Sequence, residues 1–113
     1  MATSTIKKSF NASYNTLLAN MAHTTGLDEQ SLLDNMSNYG LVSIIVGNSS
    51  GAITGSAMLP VDEFMSHSSN SNLIRIDGDS SSNFVQIKAK SGDYTKIYVQ
   101  TVGSAYVKVL GIR

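Results

Sequence analysis

Cysteine is missing from this chain altogether, which excludes a disulfide framework, a thiolate nucleophile and a zinc–thiolate centre. Excess charge of either sign is missing too. Eight basic and eight acidic side chains cancel, so there is no electrostatic footprint for nucleic acid. Charged residues make up only 14% of the chain, against about 25% in ordinary soluble domains. Serine, threonine and asparagine carry the solubility instead, a composition found on flat, self-associating or sugar-facing surfaces. No run approaches the ~20 apolar residues of a membrane span, and no membrane insertion is expected. The opening Met1 to Lys8 is basic but no apolar run follows. It does not read as a secretory signal, and synthesis in a reducing cytoplasm is the expectation.

Catalytic motifs are equally sparse. Gly51-Ala52-Ile53-Thr54-Gly55 has the frame of a nucleophile elbow without its serine. His23 and His67 are the only histidines, and in a serine-rich chain a Ser-His-Asp set can always be drawn, so drawing one carries no information. A pair of glycosidase carboxylates would have to come from Asp28, Glu29, Asp34, Asp62 or Glu63, none of which falls where a β scaffold would open a cleft. Asp77, Asp79 and Asp93 lack the spacing and terminal glutamate of a calcium loop and read as turn formers. The sequons at Asn11, Asn35 and Asn48 read as caps and turns. The expectation is a protein that is not an enzyme and has no cofactor and no metal.

What the chain does have is alternation. Phe84 to Lys90, Tyr94 to Thr101 and Ala105 to Ile112 switch between apolar and polar at nearly every step. Strand side chains point to opposite faces with a period of two. One face then collects Val85, Ile87, Ala89, Ile97, Val99, Val107 and Val109, the predicted core. The other collects Phe84, Gln86, Lys88, Gln100 and, as candidate contact residues, Tyr94, Lys96, Tyr98, Tyr106 and Lys108. Tyrosine offers large contact area at small entropic cost. Such a face suits sugar stacking, contact between copies of the chain, or plain cross-strand pairing on a solvated sheet. Leu110 and Ile112 continue it as apolar groups, which favours packing.

Upstream, Leu41 to Val46 is β-branched and short, a strand buried on both faces. Asn48 to Gly51 is a turn, and Ala52 to Met58 returns as the second arm of a hairpin. Pro60, the only proline, ends that arm, and Val61 to Met65 is a helical turn or short strand. Leu73 to Asp77 opens a C-terminal meander whose turns each contain glycine. Earlier still, Tyr14, Leu17, Leu18 and Met21 have helical spacing, as do Leu27, Leu32, Leu33 and Met36. Two short helices are predicted there, with a strand as the competing reading for Tyr14 to Met21 because Asn, Ser and Thr are poor helix formers. Residues 1–10 read as an exposed arm or first edge strand. The chain of 113 residues is one domain: a β-sandwich of jelly-roll type over 41–113, with an assembly segment over 1–40.

A resemblance adds to this reading. Met1-Ala2-Thr3-Ser4-Thr5-Ile6-Lys7-Lys8 is similar to the start of small tail-associated proteins of bacteriophages and prophages. Gly40-Leu41-Val42-Ser43-Ile44-Ile45-Val46, followed by Gly55-Ser56-Ala57-Met58-Leu59-Pro60, resembles the head-domain pattern of phage tail-fibre and receptor-binding proteins. The resemblance implies a virion component made in a bacterial cytoplasm, assembled as a homotrimer, that contacts a bacterial surface glycan or protein. Tyr94, Lys96, Tyr98, Tyr106 and Lys108 would then form the subunit contact or the recognition surface. The chain has neither a Gly-X-Y run nor sustained heptads for a shaft, which leaves room for a free-standing tail or capsid decoration protein. A monomeric carbohydrate-binding module is the alternative outside that family.

Overall fold

The structure is a computed structural model and describes residues 13–113. The arm expected over residues 1–10 and the sequon at Asn11 lie outside the described residues. Eight strands form two antiparallel four-stranded sheets: β1 (Tyr14–Met21), β2 (Asp28–Ser31), β3 (Leu41–Gly47), β4 (Ile53–Pro60), β5 (Ile74–Ser80), β6 (Asn83–Lys90), β7 (Asp93–Val102) and β8 (Tyr106–Ile112). Among the described residues one short α-helix, α1 (Val61–Ser66), follows β4. The first sheet runs β1-β8-β3-β4 and the second β2-β7-β6-β5. The mainly β sandwich expected from the alternation is therefore present. Its outer strands wrap as in a jelly roll, β1 on β8 and β2 on β7, while β3–β4 and β5–β6 are hairpins within a sheet.

The core lies between the sheets, where alternation places it. Val85, Ile87, Ala89, Ile97, Val99, Val107 and Val109 are all buried, meeting Val42, Ile44 and Val46 of β3. Phe64 from α1 and Met36 plug the same cluster. The predicted β3–β4 hairpin forms with Val42 opposite Leu59 and Ile44 opposite Ala57. Pro60 sits at the end of β4, where it caps α1.

Two expectations fail. The predicted helices over Tyr14 to Met21 and Leu27 to Met36 are β1 and β2, with a single 3-10 turn at Met36–Asn38. Two register shifts in β1, between Thr16 and Leu18 and between Leu18 and Met21, break the strand's alternation. They put Leu17 and Leu18 into the core side by side and leave apolar residues three or four apart, as a helix would. The C-terminal meander also stops early. β5, β6 and β7 are consecutive neighbours, but β8 crosses to the other sheet, between β1 and β3.

The sheet edges are stitched together. Thr101, fully buried, donates its N–H to the His23 carbonyl at 2.7 Å and accepts from the His23 N–H through Oγ1 at 2.8 Å. At the opposite edge Gly55 lies so close to the Asp77 carbonyl that a Cβ would overlap it. The β7–β8 crossover turns at Gly103, whose φ is +69°, and Asn83 Oδ1 accepts from Ser104 N–H at 2.9 Å to hold that turn. Left-handed backbone of this kind strains any residue with a Cβ.

The register has a direct consequence for stability. Ile97→Ala removes a fully buried side chain and is expected to cost about 2–5 kcal/mol. Tyr98→Ala, next along the chain on the outer face, loses one Lys88–ring contact at 4.7 Å and is expected to cost about 1 kcal/mol or less. Urea unfolding of the two variants checks the contrast.

Candidate functional site

The two sheets present outer faces of opposite character. On β7 and β6, Lys96, Tyr98 and Gln100 stand beside Lys88 and Gln86, with Lys88 opposite Tyr98 and Gln86 opposite Gln100 in register. Three cations of this face are already engaged. Arg75 lies over the Phe84 ring at 3.6 Å, Lys88 reaches Tyr98 and donates to Asn70 Oδ1 at 2.9 Å, and Lys90 pairs with Glu29 at 2.7 Å. The Glu29 hydrogen bond, ahead of its charge, raises the Lys90 pKa above the ordinary lysine value. This face is a solvated cross-strand mosaic.

The other outer face is apolar. Tyr106, Lys108, Leu110 and Ile112 of β8 lie outward beside Ile45, Ser43 and Leu41 of β3. Met58 and Pro60 extend that surface on β4, and Tyr14 extends it on β1. Tyr14 is 63% exposed and Met58 56%. Large apolar side chains on a sheet face otherwise mark contact surfaces.

The five candidate contact residues therefore do not converge. Lys96 and Tyr98 share the polar face, while Tyr106 and Lys108 stand on the apolar face across the sandwich. Tyr94 joins neither. A register shift in the β6–β7 pair between Ala89 and Lys90 interrupts the alternation, and Tyr94 packs against the core. The expectation of one continuous tyrosine–lysine wall is corrected accordingly. Alternation reports which side of a strand a residue occupies and not which sheet the strand joins.

Tyr94 instead borders a cleft of about 310 Å³ at one end of the sandwich, with Ser37, Tyr39, Pro60, Val61 and Asp62. Gly40 also lines it, tied by its carbonyl to Val61 N–H at 3.0 Å. No pattern in the sequence marks Tyr39 for this site, and Asp62, expected away from any cleft, lines this one. The residues come from three separate segments, so no local motif announces the site. Tyr39 is its fixed wall. Its ring rests against Gly111, where a Cβ would overlap it, with Arg113 over the ring at 4.9 Å. Its hydroxyl donates to Asp34 Oδ2 at 2.7 Å and accepts from Asn15 Nδ2 at 2.8 Å. The Tyr39 hydrogen bond, followed by that of Asn35 N–H, holds the Asp34 carboxyl below the ordinary carboxylate range.

The histidines each meet a carboxylate. His23 Nε2 lies 2.7 Å from Asp28 Oδ2 and 3.3 Å from Thr25 Oγ1, and His67 lies 3.5 Å from Glu63. At His23 both partners meet the same ring nitrogen, whereas a nucleophile relay needs them on opposite nitrogens. The turn aspartates are occupied locally: Asp77 by Arg75, Asp79 by Asn83, Asp93 by Thr95. The Thr95 hydroxyl and then its N–H lower the Asp93 pKa. Asn35 and Asn48 accept from Ser37 and Ser50 N–H groups, as caps and turns do. Among the described residues no helix is long and apolar enough to cross a membrane.

Comparison with protein-family models, with curated proteins and with solved structures returns no match.

The Asp34–Tyr39 bond sets a pH dependence. A depressed carboxylate pKa stabilises the fold above the unfolded-state pKa, and that contribution is lost as pH falls through the folded-state value. Tyr39→Phe is expected to be less stable than wild type at neutral pH, with the gap narrowing below the ordinary carboxylate range. Denaturant midpoints measured across that range check it.

Proposed function

We propose that the chain is a non-enzymatic component of a bacteriophage or prophage virion, of the tail-fibre or receptor-binding kind, which works as a homotrimer at a bacterial surface. One observation carries the assembly half of this reading: the apolar outer face formed by Tyr14, Leu41, Ile45, Met58, Leu110 and Ile112. The opposite face, with its engaged cations, supplies the contrast. Interface cores favour aromatic and methionine side chains and exclude charge, and this face has a single lysine, Lys108, among the residues paired across β3 and β8. The weak charge of the whole chain sets little repulsion against self-association. The β-sandwich is the fold the resemblance to receptor-binding heads implies.

In this reading the face of β3 and β8 is shared between copies, and recognition belongs to the sandwich ends. A second reading, a monomeric carbohydrate-binding module, draws on the Tyr39–Tyr94 cleft. Light scattering on the purified chain at micromolar concentration separates them. The expected result is a trimer, converted to monomer by Ile45→Lys or Met58→Glu with the β circular-dichroism spectrum retained. A wild-type monomer contradicts the proposal.

A further inference from the structure

We infer that the cleft between Tyr39 and Tyr94 binds a single neutral hexopyranose ring, the terminal sugar of a surface glycan. The inference deepens the recognition half of the proposed function and rests on it. The cleft combines three things that such a ring requires. Tyr94, half-buried and lining the cleft, offers an aromatic surface for the C–H face of a sugar. Asp62 stands exposed on the first turn of α1, without an ion-pair partner among the described residues. Its carboxylate can accept from two neighbouring ring hydroxyls at once, in charge-assisted bonds. Ser37 provides a further hydroxyl, already oriented by its donation to Asn35 Oδ1 at 2.6 Å.

Charge narrows the ligand class. Asp62 is the only charged side chain lining the cleft among the described residues, so phosphates and acidic sugars are repelled. A volume of about 310 Å³ is at the low end for ligand pockets, which run about 300–1,000 Å³, and suits one ring rather than an extended oligosaccharide. Rigidity favours binding as well. Tyr39 is 5% exposed and held by two hydroxyl hydrogen bonds, while Val61 N–H and Gly40 N–H are both fixed to backbone carbonyls. Little ordering remains to oppose a ligand.

The test is a titration of the full ¹⁵N-labelled chain with methyl glucoside, methyl galactoside and methyl mannoside, followed by amide shifts. At least one is expected to move the amides of Ser37, Gly40, Asp62 and Tyr94, with affinity on the order of millimolar for a ligand of this size. Tyr94→Ala and Asp62→Asn are each expected to weaken it about tenfold or more. Tyr94→Phe, which keeps the ring and guards against a folding defect, is expected to weaken it only a few fold. No shift with any of the three glycosides overturns the inference, as do shifts that survive Tyr94→Ala. Stronger movement of the same amides by tetramethylammonium also overturns it, by marking a cation site. A trimer with no glycoside shift overturns this inference while leaving the assembly reading intact; glycoside shifts on a monomer do the reverse.

Discussion

The interdigitation of two valine- and isoleucine-rich inner faces is the interaction on which the rest of the molecule depends. Val85, Ile87, Ile97 and Val99 on one sheet close against Val42, Ile44, Val107 and Val109 on the other, all essentially without solvent exposure. Because strand side chains alternate, burying these residues also dictates what is left outside. A slip of one residue in β7 would drive Lys96 and Tyr98 into the core and expel Ile97 and Val99. That penalty is large enough to hold the register without disulfides or metals. It is also why the outer surface can vary so widely in character while the fold stays one fold.

Variation is what the two outer faces show. On the β5–β7 side, Arg75, Lys88 and Lys90 lie against rings, amides and carboxylates of the same chain, so their charges are already satisfied. On the β3–β8 side, Tyr14 and Met58 stand exposed among part-buried leucine and isoleucine side chains. The proposed virion role uses this division: one face joins copies, the other keeps the assembly soluble, and the cleft at the sandwich end is left for recognition. The crossover at Gly103 makes the division possible by sending β8 away from β7. Two tyrosine–lysine patterns adjacent in sequence thereby end on opposite sides of the molecule.

Much of this was legible in the chain. β3, β6, β7 and β8 announce themselves because each alternates or is β-branched throughout, and Pro60 ends β4 where its missing N–H requires. The N-terminal strands were hidden. Leu17 and Leu18 are buried next to each other because bulges break the period of two, and the residue spacing that results is the spacing of a helix. β2 has no apolar residue at all, being Asp-Glu-Gln-Ser, and is a strand only because β7 offers an edge. The site was less visible than the fold. Alternation marks Tyr94, but a register shift in the hairpin places it in the cleft, and Tyr39 reaches it from one segment, Pro60 and Asp62 from another. Long-range pairing decides both outcomes, and periodicity within a segment does not report it.

In the proposed assembly, one set of apolar side chains is buried by folding and a second set only between copies. Solvent relaxation of methyl groups by a soluble paramagnetic probe, read at rising protein concentration, tests it most directly. The methyls of Val85, Ile87, Val99 and Val107 are expected to be shielded at every concentration, and those of Ile45, Met58, Leu110 and Ile112 to become shielded only as copies associate. Relaxation of the first set would contradict the sandwich. A second set relaxed equally at all concentrations would contradict the shared face.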